Sequence, residues 1–109
     1  MTTTQAAILV LSTCPDEASA DRIARDLVEQ RLAACVTRLA GARSFYRWQG
    51  RLEQVDEVIL LIKSTLPCFD ALAAAIRASH PYELPEIIAV RVDNGLPEYL
   101  SWITENTLP

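Results

Sequence analysis

Ser44-Phe45-Tyr46-Arg47-Trp48-Gln49-Gly50-Arg51-Leu52 holds the turn on which the fold depends. Gln49-Gly50 lies between two apolar, β-prone stretches, residues 33–48 and 52–62, and Gly50 takes the left-handed backbone of a short hairpin loop without steric cost. The first stretch carries Cys35, Val36, Leu39, Phe45, Tyr46 and Trp48, and Gly41 in its middle marks a bulge or bend. The second ends in Val58-Ile59-Leu60-Leu61-Ile62. The two arms are expected to pair as one long hairpin, with about 14 residues at ~3.3 Å each spanning ~45 Å. A domain of this length has a radius of gyration of only ~13 Å. The far end of the hairpin must therefore overhang the body, carrying Phe45, Tyr46 and Trp48 with it.

Outward from the hairpin, the pattern alternates strand and helix. Residues 6–11 form an unbroken aliphatic run, the mark of a strand buried on both faces and hence central. Thr13-Cys14-Pro15-Asp16-Glu17 reads as a helix start, with proline and two acids suited to the first turn. Ala20, Ile23, Ala24, Leu27 and Val28 then form one apolar stripe. Ser64, Thr65 and Pro67 open a second helix with Phe69, Leu72, Ala73 and Ile76 on its buried face, and Pro81 stops it. Residues 87–92 read as a last strand, Asn94-Gly95 as a turn, and Leu96, Tyr99, Leu100 and Ile103 as a short terminal helix with Pro97 in its first turn. This is an α+β chain, a ferredoxin-like βαββαβ sandwich with an extended second hairpin and a C-terminal helix. Right-handed crossovers give an antiparallel sheet in the order 4-1-3-2 with both main helices on one face.

Composition narrows the classes of function. The 109 residues are 50% hydrophobic and 22% charged, which suits one folded domain over residues 1–109 and excludes disorder. A net charge of −4 with no Lys/Arg cluster argues against nucleic acid. No apolar run approaches the ~20 residues that cross a membrane. Met1-Thr2-Thr3-Thr4-Gln5 has no basic stretch before the apolar run, so no signal peptide is expected. Three cysteines in a chain read as leaderless are expected to be free thiols in a reducing, cytoplasmic compartment. The overhanging aromatics and open strand edges call for a second copy of the chain to cover them.

For chemistry, the chain has one histidine and neither G-x-S-x-G nor a glycine-rich phosphate loop, so no enzyme template is expected. The topology itself gathers donors. The first strand ends at the sheet edge where the fourth begins and where the hairpin turns. Cys14 follows the first strand, and His80, Glu83 and Glu86 precede the fourth. A thiolate, an imidazole and a carboxylate, from Cys14, His80 and Glu86, suit Cu(I), Cu(II) or Zn(II). Each has a plainer role beside this: a helix start for Cys14, a helix stop with local hydrogen bonds for His80, a turn or an ion pair with Lys63 or an arginine for Glu86, solvation for Glu83, and packing for Tyr82 and Trp102. Cys35 reads as a small core residue. Cys68 is either activated by helix-start amides or silenced by burial.

Five ordered blocks also carry a family resemblance: Arg31-Leu32-Ala33-Ala34-Cys35-Val36, Ser44-Phe45-Tyr46-Arg47-Trp48-Gln49-Gly50, Glu57-Val58-Ile59-Leu60-Leu61-Ile62-Lys63, His80-Pro81-Tyr82-Glu83-Leu84-Pro85-Glu86-Ile87 and Tyr99-Leu100-Ser101-Trp102-Ile103. Together they resemble the CutA family of divalent-ion tolerance proteins over nearly the whole chain. Thr37 and Ser64 depart slightly, standing where Asn and Thr are usual, and a single histidine weakens any multi-histidine site. The resemblance implies a stable, cytoplasmic homotrimer linked to tolerance of copper and other divalent metals, with hairpins extending neighbouring sheets. The trimer is also similar to that of PII signalling proteins, which implies as alternatives a sensor of a small effector bound between subunits, or a purely structural trimer.

Overall fold

Four strands form one antiparallel sheet: β1 (Ala7–Cys14), β2 (Cys35–Trp48), β3 (Arg51–Thr65) and β4 (Ile88–Arg91). Their order, β2-β3-β1-β4, is the expected 4-1-3-2 counted from the other edge. The computed structural model describes residues 3–109; Met1 and Thr2, where the expected leaderless start begins, lie outside them. Helix α1 (Glu17–Glu29) follows β1, a 3₁₀ turn at Leu66–Cys68 leads into α2 (Phe69–Ser79), and α3 (Pro97–Glu105) closes the chain.

The boundaries differ from expectation where side-chain alternation outlasts the apolar run. Strand β1 continues through Ser12, Thr13 and Cys14, paired with Leu60, Ile59 and Val58, because Ser12 and Cys14 keep turning inward at period two. The α1 cap is therefore Asp16, whose carboxylate accepts the Ser19 N–H at 2.7 Å. Strand β3 likewise runs to Thr65. Ser64 is no helix cap but a buried strand residue that donates to the Leu32 carbonyl at 2.6 Å. Helix α2 stops where Pro81 requires it, with His80 extended at φ −76°, ψ 138°.

The hairpin turns on two successive left-handed residues, Gln49 (φ 50°) and Gly50 (φ 78°), the twist that matches right-handed strands. Gly41 (φ 88°) marks a bulge, and the β2–β3 register shifts between Leu39 and Ala42. The arms are long enough to give the molecule extents of 52 × 25 × 22 Å, so the hairpin end projects beyond the body.

The core lies between the sheet and α1 with α2. Ile8, Val10, Leu60 and Ile62 meet Ile23, Leu27, Leu72 and Ile76, each at most 1% exposed. Burying one such side chain contributes ~1.5–3 kcal/mol. Val28, expected in the α1 stripe, is instead exposed. Helix α3 joins a second cluster, Ala7, Ala34 and Ile103 with Val92 and Leu100. Cross-strand partners share a face, so Leu9 and Leu11 (β1), Ile59 and Leu61 (β3), Leu39 (β2), and Ile88 and Val90 (β4) line the side of the sheet away from α1 and α2. Leu39, Ile88 and Val90 remain about half exposed there, at 48%, 52% and 50%.

Candidate functional site

The end of β1 and the start of the segment leading to β4 meet as the topology requires. Cys14 closes β1 on the buried face, and His80 caps α2. Although 66 residues apart, their side chains touch, with Cys14 Sγ and His80 Nε2 3.8 Å apart. Both residues are buried. The Tyr82 N–H donates to His80 Nδ1 at 3.0 Å, so that nitrogen is the acceptor. The ring proton then sits on Nε2, which donates to the Thr13 carbonyl at 2.7 Å. His80 is thus a helix stop with local bonds and also the neighbour of the thiol.

Glu86 lies apart from this pair, exposed in the 81–86 segment on the wall of a cavity of about 580 Å³. Among the described residues, no three His, Cys, Asp or Glu side chains close around one point. The other two cysteines are remote from the pair in the fold. Cys35 stands at the start of β2. Cys68 is buried, accepting from Thr65 Oγ1 at 3.3 Å and donating to the Leu108 carbonyl at 3.5 Å.

The cavity opens between the overhanging hairpin and residues 81–86, with Thr13 of β1 also lining it. Because the bulge sets Ala42 opposite Glu57, the alternating residues Ser44, Tyr46 and Trp48 share the face of Glu57 and line the cavity with it. Glu57 is only 6% exposed, and its Oε2 accepts the Tyr82 hydroxyl at 2.8 Å. Sequence reasoning missed this pair, favouring a packing role for Tyr82. The available signal was weak: Glu57 stands directly before Ile59 and Leu61 on the same row of β3.

Electrostatics at this end favour neutral groups. Burial raises the Cys14 thiol above its ordinary value; a hydrogen bond with Ser19 opposes it, the Asp16 and Glu57 carboxylates add to it, and Arg22 opposes it most weakly. Burial first, then the bond to Glu57, drives the Tyr82 phenol far above its usual range. Both shifts are upward, so the fold holds protons that the unfolded chain releases. Their contribution is complete below about pH 8.5, where the unfolded thiol begins to ionise, and stability falls as pH rises through and above that value. Urea titrations should give a midpoint that is flat from about pH 7 to 8 and declines from about pH 9 upward, and Cys14→Ala should remove the first part of the decline. A wild-type midpoint that holds steady to about pH 11 would contradict these assignments.

The chain matches the family described as CutA1 divalent ion tolerance protein over residues 8–106. It is 48% identical over 97 residues to the divalent-cation tolerance protein CutA of Pectobacterium atrosepticum, covering 89% of this chain and 88% of that protein. The Thermus thermophilus protein of the same name is 48% identical over 99 residues, covering 91% and 96% of the two chains. Among solved structures, CutA from Xylella fastidiosa superposes with a TM-score of 0.91 at 53% identity, covering 94% of this chain and 98% of that one. CutA1 from Oryza sativa superposes with a TM-score of 0.95 at 34% identity, covering 98% of both.

Proposed function

Because this chain belongs to the family of CutA1 divalent ion tolerance proteins, we propose that it serves tolerance to divalent cations as a homotrimer, taking copper or a similar soft ion at Cys14 and His80. The observation that carries the metal reading is the 3.8 Å separation of Cys14 Sγ and His80 Nε2. Metal–sulfur and metal–nitrogen bonds of ~2.3 and ~2.0 Å reach across such a gap with a bend at the ion. A thiolate with an imidazole is a soft donor pair, which copper satisfies better than magnesium or calcium does. Glu86, the third donor expected from the sequence, stands apart on the cavity wall, so water or a neighbouring chain completes the shell around Cys14 and His80.

Binding has a cost written into the hydrogen bonds. His80 Nε2 must give up its proton and the Thr13 carbonyl, and the Tyr82 amide must tolerate the change at Nδ1. Cys14 must release a proton that burial holds tightly. Affinity is therefore moderate and rises with pH, by up to about tenfold per unit for each proton displaced, between about pH 5 and pH 8. Calorimetric titration with copper and zinc should show this rise in the wild type and a large loss in Cys14→Ser and His80→Ala. Equal binding by both variants would place the ion elsewhere, and no binding by the wild type would make tolerance indirect.

Support for the trimer is the half-exposed apolar face of the sheet together with Phe45 at 63% exposure on the overhang. A tolerance role needs no catalysis, and we read the chain as a non-enzyme. Three free thiols support a cytoplasmic setting. A related structure from Archaeoglobus fulgidus carries the name periplasmic divalent cation tolerance protein, so fractionation of cells expressing the tagged full chain is the test of location.

A further inference from the structure

Glu57 is a buried carboxylate without a counter-ion. It is 94% removed from solvent in the folded chain, and among the described residues its carboxylate takes one hydrogen bond, from a neutral phenol, and no ion pair. An isolated buried charge is expensive, and proteins keep one where a partner of opposite sign arrives. The place it faces is not closed protein but the cavity of about 580 Å³ under the hairpin. Two more carboxylates, Glu83 and Glu86, stand on the wall of that cavity, and no lysine, arginine or histidine lines it. Aromatic rings of Phe45, Tyr46, Trp48 and Tyr82 make up much of the rest, with Pro81, Leu84 and the hydroxyls of Thr13 and Ser44 beside them.

We propose that this cavity binds an organic cation, an ammonium or guanidinium group on a short aliphatic stem, with the charge against Glu57 and the stem against Tyr46 and Trp48. The chemistry selects this class. Ring faces attract cations and shed water from a stem, a carboxylate supplies the charge-assisted hydrogen bond, and three like charges repel phosphates and carboxylic acids. A bare metal ion suits the wall poorly, because among the described residues no three of its carboxylates close around one point. The site is distinct from Cys14 and His80, neither of which lines the cavity.

The same cation has two sources. One is a small free amine. The other is a second copy of this chain, since Arg47 and Arg51 lie exposed at the hairpin end without an ion pair among the described residues. Calorimetric titration of the assembled protein with n-butylammonium chloride, against n-butanol as the neutral analogue, separates the cases. Saturable binding of n-butylammonium, with n-butanol silent, supports the site. Glu57→Gln, which keeps the shape and an acceptor for Tyr82, should weaken binding about tenfold or more. Cys14→Ser should leave it unchanged while removing copper. If the wild type is silent but the Arg47→Gln/Arg51→Gln variant binds n-butylammonium, the cavity is filled by the neighbour's guanidinium and the cation chemistry stands. Silence in both proteins, or equal binding of n-butanol, overturns the proposal, and that comparison needs no folded Glu57 variant.

Discussion

Leu39→Arg is expected to convert the proposed trimer into folded single chains. Leu39 sits on β2 opposite Ile59, at the last regular pair before the Gly41 bulge, and 48% of it is exposed in the isolated subunit. The subunit's own core lies on the other side of the sheet, where Leu60 and Ile62 meet α1 and α2, so a longer polar side chain at 39 displaces nothing within the chain. In an assembly that covers the apolar face, the same side chain brings an unpaired guanidinium into a dry contact, at a cost of several kcal/mol per copy. Closed symmetry repeats that cost at every interface. Sedimentation equilibrium at micromolar concentration should fall from three chain masses to one, with the far-ultraviolet circular dichroism unchanged. A trimer that persists, or a wild type that is already monomeric, would refute the assignment of this face to assembly.

Most of the fold was legible because it rests on periodicity. The stripe Ala20, Ile23 and Leu27, the run Val58-Ile59-Leu60-Leu61-Ile62, the Gly41 bulge and the Gln49-Gly50 turn each follow from local chemistry, and the sheet order follows from chain handedness. What sequence reasoning misplaced were ends. Ser12, Ser64 and Thr65 look like loop or cap residues, yet each is a buried strand residue, because a strand buried on one side accepts a small hydroxyl that finds room or a backbone acceptor. At the site, the approach of Cys14 to His80 was readable from topology alone. The Glu57–Tyr82 bond was not. It depends on residues 81–86 passing close to the face of Glu57, and that approach leaves no periodic trace.

Tyr82→Phe should be the costliest conservative change at this end of the molecule. The substitution removes one oxygen and keeps the ring, but it leaves Glu57, at 6% exposure, without the donor it holds at 2.8 Å. Loss of a partner from a buried charged acceptor costs about 3 kcal/mol, more than the ~1 kcal/mol of an ordinary hydrogen bond, because the carboxylate's desolvation is no longer offset. Urea unfolding near pH 7 should show that loss, and the upper, tyrosine part of the alkaline decline should vanish with the phenol. The double variant Tyr82→Phe/Glu57→Leu removes both members, and an apolar pair of similar size is often as stable as the polar pair it replaces. Recovery of most of the lost stability in the double variant would identify the single-variant cost as the price of an orphaned charge. A carboxylate that the fold is better off without is retained for what it binds, so that result would turn the question of Glu57 from stability to ligand. If Tyr82→Phe costs under about 1 kcal/mol, solvent already reaches the carboxylate and the argument from burial fails.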